Sequence, residues 1–214
     1  MTSFTLRTKN SLIATYLCLF CAFLPGAVQA QADTGDKPIG HIELSDPANL
    51  TKQQAEKIYQ TVLPDIRAIF AQSDIGAAAK YTSWQRYNKA PYISATHGAR
   101  YVNNYANMIA HDYGSLKKGE TYPEGSILAK GSFSVTSDRH VYPGALFLME
   151  KMNSGFNGKS GDWRYTMVLP DGSIFGMTKG ENAENVEFCI ACHAAKKSLD
   201  HIFFVPDDYR VDAK

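Results

Sequence analysis

Near its C-terminus the chain gathers two thiols and an imidazole within five residues, Cys189-Ile190-Ala191-Cys192-His193. This spacing suits one reaction well: two thiols add across the vinyl groups of a porphyrin, and the adjacent imidazole is thereby placed under the iron as an axial ligand. Three other chemistries compete for the same residues. A zinc site needs a fourth ligand, and His41, His97, His111, His140 and His201 offer no second Cys or His pair nearby. A thioredoxin-like redox pair belongs at a helix start after a strand in a βαβ setting, and no such alternation precedes Cys189. A disulfide between residues three apart closes a very small loop and contributes little through loop entropy. Covalent haem is the reading the segment favours, with Cys189 and Cys192 as attachment points and His193 as metal ligand.

The first thirty residues set the compartment. Arg7 and Lys9 precede an apolar run from Leu12 to Leu24, followed by Pro25, Gly26 and the small-residue end Val28-Gln29-Ala30. That layout predicts a secretory signal over 1–30, cleaved after Ala30, and a periplasmic protein. The apolar run is shorter than the roughly 20 residues that span hydrocarbon, so no stable membrane anchor is expected after cleavage. Cleavage removes Cys18 and Cys21, leaving 4 − 2 = 2 cysteines, Cys189 and Cys192. It also removes two of 22 basic residues, leaving 20 against 21 acidic ones. A nearly neutral surface gives no reason to expect nucleic acid as a partner.

The elements that must position the haem segment lie upstream, because only 21 residues follow His193. Residues 31–80 are expected to form a lead-in and a helical segment. Thr51-Lys52-Gln53-Gln54 has the spacing of a capping box, and Ala55, Ile58, Tyr59, Val62 and Leu63 recur at helical intervals up to Pro64. Ile66, Ile69 and Phe70 suggest another short helix beyond it. From Tyr81 the texture turns aromatic and β-branched, broken by Gly, Pro, Asn and Asp, which predicts short antiparallel strands. Strands are expected over 127–135, 145–152, 163–169 and 173–177, the last two joined by a tight Pro170-Asp171-Gly172 turn. Asn103 to Tyr113 reads alternatively as a helix, given Tyr105, Met108, Ile109 and Asp112 at mixed spacing. The fold class is α+β, mainly β: an antiparallel sheet with an N-terminal helix and a C-terminal CxxCH segment.

The sixth iron position decides the chemistry, since a Met or His there favours electron transfer and an open site admits small ligands. Met108, Met149, Met152, Met167 and Met177 are formal candidates, although methionines more commonly fill core gaps. Lys130 stands out as a cation among Ile127, Leu128 and Phe133. From the strand alone it reads as protection of an exposed sheet edge. Trp163 reads as a core anchor entering a strand.

Several segments together resemble the cytochrome P-460 family. They are Thr96-His97-Gly98-Ala99-Arg100-Tyr101-Val102-Asn103, Tyr122-Pro123-Glu124-Gly125-Ser126-Ile127-Leu128-Ala129-Lys130, Met149-Glu150-Lys151-Met152, Gly161-Asp162-Trp163, the CxxCH motif, and Asp200-His201-Ile202-Phe203-Phe204. They run in order over residues 81 to 206, so residues 81–214 are taken as the haem domain. The resemblance implies a mainly antiparallel β fold, usually dimeric, holding one five-coordinate haem with the CxxCH histidine as proximal ligand. Some members oxidise hydroxylamine and pass electrons to an external acceptor. In those members a lysine is joined to the porphyrin edge, and the matching position is Lys130. The related β-form of cytochrome c prime binds nitric oxide or carbon monoxide without that turnover. Arg100 aligns with a distal arginine of the enzymatic members, and His97, three residues earlier, is a candidate proton shuttle. The pattern departs in one respect: no position here matches a distal carboxylate, and Glu120, Glu124 and Glu150 merely lie near matched segments.

Overall fold

Four longer strands, buried on both faces with a different apolar cluster on each side, organise the molecule. The computed structural model describes residues 46–211, all within one compact unit. The expected signal over 1–30 and the lead-in from Gln31 to Gly40 lie outside the described residues.

The first helix, α1, spans Lys52–Phe70, and the capping box closes it as expected: Gln54 N donates to Thr51 Oγ1, and Thr51 N to Gln54 Oε1 at 2.9 Å. The expected break at Pro64 does not occur, so Ile66, Ile69 and Phe70 continue α1 rather than forming a second helix. Proline removes one backbone donor, but burial of Ile66 and Phe70 on the stripe begun by Ala55 and Tyr59 offsets that loss. A short α2, Gly76–Lys80, leads into β1 (Gln85–Arg86), β2 (Tyr92–Ser94), β3 (Arg100–Ala106), β4 (Ile127–Val135), β5 (Val141–Lys151), β6 (Trp163–Val168) and β7 (Ile174–Met177). All pairings are antiparallel, in the order β1-β3-β4-β5-β6-β7, with β2 on the same edge of β3 as β1. The helix α3, Glu187–His193, follows β7.

Residues 103–113 correct an expectation. Asn103 to Ala106 belong to β3, and only Met108–Ala110 makes a helical turn, capped by Asn107. The mixed spacing arose because Tyr105 obeys strand alternation while Met108 and Ile109 sit exposed beyond the strand end. The Pro170-Asp171-Gly172 turn forms as read, with Gly172 at φ +84° and its N–H donating to Leu169 O.

One sheet face carries Tyr101, Tyr105, Ala129, Phe133, Leu146, Leu148 and Val168, sealed by Tyr59, Ile66 and Phe70 of α1. The other carries Val102, Ala106, Leu128, Met149, Trp163 and Tyr165, packed against Ile190 of α3 and against Ile202 and Val205 beyond it. Trp163 is fully buried there. Covered on both sides, β4 is buried or half-buried along its whole length. No described helix is long and apolar enough to cross a membrane.

Candidate functional site

On α3, Cys189, Cys192 and His193 stand at i, i+3 and i+4, so a helix of seven residues presents them on one face. Val186, fully buried, and Ile190 anchor this helix. The approach of the preceding turn to β7 depends on Gly176: a Cβ there would lie 2.7 Å from Asn182 O. Asn185 Nδ2 donates to Phe175 O at 2.7 Å and ties the turn to the same strand.

The helix closes one side of a cavity of about 830 Å3, counting its open mouth. The sheet supplies the floor. Asn104, Lys130, Phe147 and Met167 face one another in successive register across β3, β4, β5 and β6, and all four line the cavity. The next rung adds Leu128, Met149 and Tyr165; Phe188, Ile202 and Phe203 close the walls.

His193 is held in a defined state. Its Nδ1 lies 2.7 Å from His201 O, and because a carbonyl only accepts, Nδ1 carries the proton and Nε2 the lone pair. Tyr165 and Phe203 pack edge-on against the imidazole, at centroid distances of 5.1 and 5.2 Å. The His201 carbonyl is set by a corner in which Asp200 and His201 both adopt positive φ, 51° and 65°. His201 packs so closely on Gly161 that a Cβ there would lie 2.6 Å from its Cδ2, and burial lowers its imidazole pKa.

Cys189 and Cys192 are free thiols. Burial pushes the Cys189 thiol up to about 12, whereas Cys192 is exposed. Among the described residues no group of three or more His, Cys, Asp or Glu side chains is placed to hold a metal ion.

The structure brings Lys130 and His97 to the same cavity as the CxxCH residues. Lys130 sits on β4, flanked by β3 and β5, so it protects no sheet edge. Burial lowers its ammonium to about 8, partly countered by the neighbouring Cys192. His97 ends a helical turn, Ala95–His97, closed by Gly98 at φ +75°. Its Nδ1 meets Ser94 Oγ at 2.8 Å, and its ring packs edge-on to Phe147 at 4.9 Å.

Arg100 is not among the lining residues. It is half-buried at the start of β3, its Nη1 3.4 Å from His97 O, and burial lowers its pKa. Among the described residues no carboxylate lines the cavity. Glu150 pairs with Arg164, its cross-strand neighbour, Glu120 accepts from Lys117 N at 2.7 Å, and Glu124 borders a separate cleft. Of the methionines, Met149 and Met167 line the cavity while Met108 is 84% exposed.

Sequence reasoning gave no role to Lys151 and Asp200, which form an ion pair behind the site. The available signal was an isolated lysine on the apolar face of β5.

The model of the cytochrome P-460 family matches residues 78–204, more than half of the chain. No curated protein matches the chain.

Proposed function

The chain belongs to the cytochrome P-460 family, a family of haem cytochromes, and on that premise we propose a monohaem c-type cytochrome that oxidises hydroxylamine or a related small nitrogen compound. The observation that carries the proposal is the convergence of Cys189, Cys192, His193, Lys130 and His97 on one cavity.

The residues fit a haem. Tyr165 Oη is buried in the cavity wall without a hydrogen-bond partner among the described residues, a polar atom that a group bound in the cavity would meet. The aromatic and aliphatic lining suits a flat apolar macrocycle. Bound haem would supply an iron that takes the substrate nitrogen and a route for its electrons.

In this reading the Cys189 and Cys192 sulfurs would hold the porphyrin, and His193 would offer its Nε2 lone pair to the iron. Lys130 would meet the porphyrin from β4. Its lowered pKa favours the free amine that a cross-link would need. With Nδ1–H donated to Ser94, His97 takes substrate protons at Nε2. Phe147 packs edge-on against that imidazole. Arg100 steadies the His97 turn through the carbonyl it approaches. We further propose export through residues 1–30 to the periplasm, action as a homodimer, and electron transfer to a soluble acceptor.

The test uses the protein made in a host that attaches haem. An atypical, red-shifted ferrous spectrum and hydroxylamine-dependent reduction of an acceptor dye are expected. A colourless chain at its bare mass would overturn the proposal.

A second reading, capture of nitric oxide or carbon monoxide without turnover, draws support from the absence of a carboxylate among the lining residues. It predicts ligand-induced spectral change with no dye reduction. A pure electron carrier would need Met149 or Met167 on iron, and it predicts a low-spin spectrum indifferent to either gas.

A further inference from the structure

Behind the proximal wall, Asp200 is fixed from three directions. Its Oδ1 accepts from Lys151 Nζ at 2.7 Å, its Oδ2 from Tyr122 N at 2.8 Å, and its main-chain O from Trp163 Nε1 at 2.8 Å. Lys151 Nζ also donates to Gly161 O at 2.8 Å and lies 5.0 Å from the Trp163 ring centroid. The pair is nearly sealed, with side-chain exposures of 10% for Lys151 and 2% for Asp200.

Neither residue lines the cavity. A buried ion pair is weak evidence for added stability, because desolvation offsets much of the attraction. This pair does, however, restrain a backbone conformation that non-glycine residues rarely adopt, in Asp200 and in His201 after it. The carbonyl presented by that corner is the acceptor for His193 Nδ1–H. A ligating imidazole becomes a stronger donor as the acceptor on its other nitrogen is better aligned and more negative.

We infer that Asp200 and Lys151 are a matched pair of positioning residues that set the donor strength of His193, and hence the reduction potential of the haem, through the His201 carbonyl. The inference rests on the reading of His193 as proximal ligand. Asp200 contributes negative potential on the imidazole side, and Lys151 cancels most of it while fixing the carboxylate. Removing one member therefore shifts the iron in the direction of the charge left behind.

The experiment is redox titration and resonance Raman spectroscopy of the haem-loaded protein. Asp200→Asn leaves an unbalanced cation and is expected to raise the potential, favouring ferrous iron about tenfold, or about 59 mV for one electron. Lys151→Met leaves an unbalanced anion and is expected to lower it by a similar factor. The double variant returns towards wild type. The iron–histidine stretch falls in Asp200→Asn and rises in Lys151→Met. Potentials unchanged in both single variants, or displaced in the same direction, overturn the inference, since a merely structural role loosens the corner in either case. A wild-type protein lacking an iron–histidine stretch would instead overturn the assignment of His193.

Discussion

Lys130 on β4 lies directly opposite Phe147 on β5, so an amine and an aromatic ring enter the cavity from a single rung of the sheet. Asn104 completes the rung on β3. The ring keeps the amine poorly hydrated, and this explains why burial is the main cause of its lowered pKa.

That depression fixes a pH dependence. The folded chain holds the Lys130 proton at about 8, against an ordinary value of 10.5. Below pH 8 the ammonium is present in both states and costs the folded one. Between pH 8 and 10.5 the unfolded state binds more protons, so this contribution to stability rises with pH. Lys130→Met in the haem-free chain should therefore stabilise at pH 7, by about 1–3 kcal/mol, with the gain vanishing above pH 10.5. Denaturant unfolding of both chains across pH 7–11 measures the difference. A constant offset would refute it.

His97→Ala should lower hydroxylamine-dependent dye reduction by roughly a hundredfold or more, the usual contribution of a positioned proton acceptor, while leaving the ferrous spectrum unchanged. Ser94→Ala should give a smaller loss, because it removes the partner that orients Nδ1 and leaves the ring in place. Steady-state assays over a pH series check both.

The two thiols should react at very different rates in the haem-free chain. Cys192 is exposed, whereas Cys189 is held as a neutral thiol by burial. Iodoacetamide labelling followed by peptide mass analysis should modify Cys192 first. Equal rates would show that the Cys189 environment is open.

Gly176→Ala should destabilise by about 1–3 kcal/mol, because the added methyl meets Asn182 O on the turn that launches α3. The same variant should reduce haem incorporation, since that turn sets where the two sulfurs sit. Thermal unfolding and the haem-to-protein ratio are the measurements.

The grouping of Cys189, Cys192 and His193 on one face of α3 was legible because it is local, confined to five residues. The strands β4 to β7 were legible because turn residues punctuate them. Four features were not. Pro64 looked like a stop, but the stripe continuing through Ile66 and Phe70 carries α1 past it. Residues 103–113 looked partly helical because two periodicities abut at Asn107. The Lys151–Asp200 pair joins positions 49 apart in the chain, a separation that no spacing rule reaches. Arg100 was expected beside the iron from its place in a shared segment, whereas its side chain lies by the His97 carbonyl, outside the lining.

The helix α1 gives the sheet a second apolar cluster, which shares no residue with the one packed on α3. Before haem is bound, the α1 side therefore has a core able to consolidate alone, while the α3 side awaits the group its walls would hold. Amide protons on α1 and on the α1-facing side of the sheet should exchange slowly before the prosthetic group arrives, while those of 187–205 exchange fast and slow down afterwards. Maturation thus reduces to closing one flap over a floor already laid.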